Sequence, residues 1–85
     1  MAARVVVYTA PGCHLCGPAV NVVRSVCGSG FTVVDITTDT DLEQQYRERI
    51  PVVEVDGEPL FTYVVDEQEF REAVQRHIGA ADVPG

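Results

Sequence analysis

Lysine and tryptophan are absent from the chain, and cysteine is scarce. With no lysine, the six basic residues are all arginine and face thirteen acids, for a net charge of -7. That balance disfavours nucleic acid, polyphosphates and anionic membranes as partners and favours solubility. Long apolar runs are lacking too. The run Val5-Val6-Val7-Tyr8 is followed by Thr9 and Pro11, far short of a signal-peptide core or a membrane span. A cytoplasmic location with no membrane partner is expected. Three cysteines, an odd number in a non-secreted chain, argue against a disulfide framework and leave catalytic, metal-binding or simply buried thiols. Repeats, linkers and low-complexity stretches are missing as well. At 85 residues, 46% of them apolar, the chain specifies one core and no second domain.

What is present begins with Arg4 to Tyr8, read as a buried strand because four apolar residues, three of them β-branched, stand between turn signals. After a loop over Thr9 to Gly12, Leu15, Ala19, Val22, Val23 and Val26 recur at three- and four-residue spacing. This predicts an amphipathic helix from His14 to about Cys27, ended by Gly28-Ser29-Gly30. Phe31 to Ile36 reads as a second strand, parallel to the first through a right-handed crossover. Thr38 or Asp39 caps a short helix running to about Arg49, which Ile50-Pro51 stops. Pro51 to Val55 and Glu58 to Val65 then form a hairpin, since Asp56-Gly57 suits the left-handed conformations of a type I′ turn. Asp66 caps a last helix with Phe70, Ala73, Val74 and His77 or Ile78 on one face. Gly79 is expected to close that helix and a domain of residues 1–79, leaving Ala80 to Gly85 as a flexible tail. The order β-α-β-α-β-β-α packs economically as an α/β fold, a four-stranded mixed sheet with helices on both faces and the first strand central.

The chemistry concentrates in Pro11-Gly12-Cys13-His14-Leu15-Cys16, between the first strand and the first helix. A thiol with a pKa near 8.5 is mostly protonated at neutral pH, but a helix N-terminus lowers it to roughly 3.5 to 7.5 in such motifs. The spacing places Cys13 at the N-cap, where its sulfur would accept from the N–H of Leu15 or Cys16. Cys13 is therefore read as the attacking thiolate and Cys16, one turn in, as the resolving thiol. His14 either stabilises the thiolate when protonated or points to water. Pro18 implies a distorted first turn or a helix that starts nearer Cys16. A closed zinc site needs four ligands, and Cys13, Cys16, Cys27, His14 and His77 have spacings that match no common finger, so no metal site is expected. Cys27 reads as a small buried residue at the helix end.

With these residues in view, the chain resembles the thioredoxin-fold superfamily and, within it, small glutaredoxin-like proteins. The carriers are Val5 to Tyr8 leading to Cys13-His14-Leu15-Cys16, then Asp35-Ile36 with Asp39 and Leu42, Tyr46 before Ile50-Pro51-Val52, and Val55-Asp56-Gly57. The resemblance implies a thioredoxin-like fold in which Pro51 is cis and lies against the cysteine pair. It also implies that the backbone of Ile50 pairs with a bound substrate as an added strand. Ile50, Pro51 and His14 are thus candidate substrate-binding residues beside the catalytic Cys13 and Cys16.

Two departures bear on the substrate. Glutathione-using glutaredoxins carry a paired-glycine turn after the fourth strand, then a polar and acidic pair, and a basic residue before the first cysteine. Here Thr62-Tyr63-Val64-Val65 has no glycine, although Asp66 and Glu67 open the last helix, and Thr9-Ala10-Pro11-Gly12 is uncharged. The buried acid of thioredoxins is matched by Val7. Arg47 and Arg49 are either contacts for a substrate carboxylate or solvated charges at a helix end. The implied activity is thiol-disulfide exchange in cell redox homeostasis by a monomer with no bound cofactor. Its partner would be a disulfide-containing protein or a small thiol, with glutathione or an equivalent low-molecular-weight thiol as reductant. The alternative is a non-enzymatic module of the same fold that binds an iron-sulfur cluster, a metal or a protein partner through the same edge.

Overall fold

The computed structural model describes residues 4–82, with side chains to residue 76. In chain order the elements are β1 (Val5–Thr9), α1 (Cys16–Cys27), β2 (Thr32–Asp35), a 3-10 turn (Ile36–Thr38), α2 (Thr40–Tyr46), β3 (Val52–Val55), β4 (Glu58–Thr62) and α3 (Glu67–Asp82). The strands form one mixed sheet in the order β2-β1-β3-β4. β1 pairs parallel with β2 and antiparallel with β3, and β3 pairs antiparallel with β4. β1 is therefore central, and its C-terminal end opens onto the cysteine loop.

Side chains that alternate along the strands decide which helix packs where. Val5 and Val7 of β1 and Val53 and Val55 of β3 share a core with Ala19 and Val23 of α1 and with Phe70 and Val74 of α3. Val52 faces the other way and packs with Ile36, Tyr46, Tyr8 and Leu42 beneath α2. β3 is thus covered on both faces, and each of its fully buried valines contributes roughly 1.5–3 kcal/mol.

Local signals set several boundaries. Asp56 and Gly57 both take positive φ, 54° and 85°, as a type I′ turn requires. Asp39 caps α2 through the N–H groups of Asp41 and Leu42, and Asp66 caps α3 through the N–H of Glu69. Other boundaries differ from expectation. α2 stops at Tyr46 rather than Arg49, where the Arg49 N–H closes a tighter, 3-10-type turn onto the Tyr46 carbonyl. β4 stops at Thr62 rather than Val65, because Tyr63 takes a left-handed φ of 64°. α3 continues through Gly79 to Asp82, so Ala80 to Asp82 belong to the helix and not to a tail. One glycine inside a helix costs only about 1 kcal/mol relative to alanine. The remainder of the expected tail, residues 83–85, lies outside the described residues.

Candidate functional site

The cysteine loop is built by a turn whose residue types dictate its shape. Pro11 and Gly12 occupy its two central positions, Gly12 has φ 82°, and the Cys13 N–H donates to the Ala10 carbonyl at 3.3 Å. This is the arrangement of a type II turn, which favours proline first and needs glycine or asparagine second. A Cβ at Gly12 would meet nothing within 4 Å, so the glycine serves the backbone angle and not close packing.

α1 begins at Cys16, with Leu15 as N-cap, which corrects the expectation that Cys13 occupies the cap. The reason is Pro18. A helix starting at His14 would need a Pro18 N–H to bond one turn back, whereas a start at Cys16 makes Pro18 the third residue, where no such bond is required. The Ala19 N–H then makes a bond to Leu15, at 3.2 Å. No side chain caps this terminus.

Cys13 and Cys16 are paired as a disulfide with their Cα atoms 5.5 Å apart. Cys13 is partly exposed while Cys16 is only 6% exposed, so the two residues of the pair are unequally exposed. His14 points into solvent. Cys27 is free and partly buried, and that burial pushes its thiol pKa up.

The Ile50-Pro51 bond is cis and Pro51 is buried. The Pro51 carbonyl accepts the Tyr63 N–H at 3.0 Å, and the Tyr63 hydroxyl donates to the Glu48 carbonyl at 2.6 Å. Tyr63 also lines a hollow with Leu15 of the cysteine loop. The Ile50 N–H is engaged by the Tyr46 carbonyl at 3.1 Å. Arg47 and Arg49 lie in a separate polar hollow of about 460 Å³ with Gln44, Gln45 and Glu48.

Two features escaped sequence reasoning. The first is the hollow beside the cysteines, about 160 Å³, formed by Leu15, Pro18, Ala19 and Val22 on one side and Tyr63, Val64 and Val65 on the other. The run Tyr63-Val64-Val65 had announced only a missing glycine pair. The second is Glu54, whose carboxylate accepts from Tyr8 at 3.0 Å and from Tyr46 at 2.9 Å. The two rings stack at 4.8 Å. Burial first, then the Glu54 hydrogen bond and charge, push the Tyr8 pKa up to about 12, and the same causes raise that of Tyr46. An acid in the otherwise apolar run of β3 was the available signal. Among the described residues no three His, Cys, Asp or Glu side chains converge as a metal site, and no helix is long and apolar enough to cross a membrane.

This sheet order, with the cysteine pair before α1 and a cis-proline before β3, defines a thioredoxin-like fold. The solved structures agree. A structural-genomics target protein from X. campestris is 26% identical with a TM-score of 0.74, covering 86% of this chain and 97% of its own. A mutant thioredoxin from Halobacterium salinarum is 20% identical with a TM-score of 0.63, and oxidised glutaredoxin 2 from Chlamydomonas reinhardtii is 19% identical with a TM-score of 0.58. Each of these two covers 88% of this chain and 74% of its own. Residues 4–75 match the glutaredoxin-like domain family (DUF836), and the chain belongs to that family. A search of the curated proteins found no significant match.

Proposed function

We propose that the protein is a thiol-disulfide oxidoreductase in which Cys13 attacks and Cys16 resolves. The observation that carries this reading is the unequal pair itself: a partly exposed Cys13 and a buried Cys16 at the uncapped start of α1. In the reduced protein the unbonded N–H groups and the positive end of the helix favour a thiolate at this terminus. The Cys13 thiolate attacks one sulfur of a substrate disulfide, forming a mixed disulfide and releasing the other sulfur as a thiolate that takes up a proton. The Cys16 thiolate then attacks Cys13 Sγ, which releases the second substrate thiol. The substrate gains two electrons and the protein keeps the Cys13-Cys16 disulfide. Two molecules of a low-molecular-weight thiol, glutathione or an equivalent, return the pair to the dithiol and leave as the corresponding disulfide.

The substrate on this reading is a disulfide-containing protein or small thiol in the cytoplasm, held near Ile50, Pro51 and His14. Reduction of a model peptide disulfide by the Cys13→Ser variant tests it. Activity is expected to fall to background, and full activity in that variant contradicts the mechanism.

A further inference from the structure

Resting on that exchange reading, we infer that the hollow beside the cysteines is a side-chain subsite for an aliphatic or aromatic residue flanking the disulfide of a neutral or basic polypeptide. The hollow adjoins the cysteine loop through Leu15, although neither cysteine lines it. Leu15 stands between the two cysteines, and Ala19 lies three residues beyond Cys16 on α1. Its lining is almost wholly apolar, yet Leu15, Tyr63 and Val64 leave 43%, 49% and 71% of their surfaces in water. A dry apolar cavity of about 150 Å³ accepts benzene. This one, at about 160 Å³ and open on one side, has room for one leucine- or phenylalanine-sized group.

The two acids that follow Val65 in the chain are already engaged, which argues against a small charged occupant. Asp66 caps α3 through the Glu69 N–H, while Glu67 accepts from the Ser25 hydroxyl at 2.9 Å and pairs with Arg71 at 3.3 Å. An anionic tripeptide such as glutathione would bring its carboxylates to a chain of net charge -7 and find apolar carbon in this hollow. A polypeptide with an apolar residue beside its cysteine and a basic one further off matches both the hollow and the charge.

Two peptide disulfides that differ only in leucine or serine beside the cysteine, each with a flanking arginine, test the inference alongside glutathione disulfide. The reduced protein is expected to reduce the leucine peptide with a kcat/KM about tenfold above the serine peptide, the scale of one well-filled apolar pocket. Val64→Asp brings that ratio toward one. Leu60→Asp, at an exposed position on β4 that does not line the hollow, leaves the ratio in place. Equal rates for the two peptides, preference for glutathione disulfide, or an unchanged ratio in Val64→Asp each overturn the subsite. A binding arm needs no chemistry: the thiol form of the leucine peptide, titrated into the Cys13→Ser/Cys16→Ser variant, should shift the methyl resonances of Val22, Val64 and Val65. If the wild-type protein reduces neither peptide, the exchange reading fails, and the methyl shifts or their absence still decide the subsite.

Discussion

At Cys27 burial raises the thiol pKa, whereas Cys13 is partly exposed and lies three residues before the start of α1. Iodoacetamide added to the reduced protein at neutral pH should therefore label Cys13 first and Cys27 last, as peptide mapping by mass spectrometry will show. Labelling of Cys27 at a rate matching Cys13 contradicts the assignment. The spacing of Cys13 and Cys16 made the pair legible without a structure. Glu54 was not legible, because its partners Tyr8 and Tyr46 lie 46 and 8 residues away and only the fold unites them. Their cluster predicts an alkaline transition. Folded Tyr8 keeps its proton to about 12, against 10.0 for an ordinary tyrosine. Between those values the unfolded chain loses a proton that the folded chain retains. The stabilisation is complete below pH 10 and disappears as the pH rises to about 12. Urea midpoints measured across this window should fall for the wild-type protein and fall less for Tyr8→Phe.

The boundaries legible in the sequence are those closed by their own residues. Asp-Gly sets the β3-β4 turn, and Asp39, one of two candidate caps with Thr38, starts α2; both signals are a few residues long. Asp39→Ala should lower stability by about 1 kcal/mol in urea denaturation, the usual loss of an N-cap. The end of β4 was misread because Tyr63 is held in a left-handed conformation by bonds from elsewhere, its N–H to Pro51 and its hydroxyl to Glu48. Opposing effects of similar size meet at this residue. A non-glycine residue at positive φ costs about 1–2 kcal/mol, and the hydroxyl bond returns about 1 kcal/mol. Tyr63→Phe should therefore lose about 1 kcal/mol, whereas Tyr63→Gly, which relieves the backbone while losing the bond, should stay within about 1 kcal/mol of wild type. A Tyr63→Gly variant destabilised by several kcal/mol would show that the ring anchors the turn by packing.

Across the whole molecule, the short apolar runs of β1 and β3 between turn signals and the helical spacing of α1 and α3 carried enough information for the architecture, since the runs suit strands in the interior of the sheet and each helix turns one apolar face to it. Phe70 ties those patterns together, fully buried and set edge-on to Phe61 at 5.9 Å. Phe70→Ala should cost about 3–5 kcal/mol in denaturant unfolding. The groove was hidden from the sequence for the opposite reason: its two walls, around Leu15 and Tyr63, are 48 residues apart and show no periodicity in common. The fold's main consequence is to present one partly exposed and one buried cysteine between the central strand and α1. The most direct test is to mix reduced Cys16→Ser with a peptide disulfide and measure intact mass. One peptide adduct mapped to Cys13 is expected, with none on Cys13→Ser and none persisting on the wild-type protein, which instead closes its own disulfide. An adduct on Cys27, or no adduct alongside undiminished turnover, contradicts the division of labour between Cys13 and Cys16.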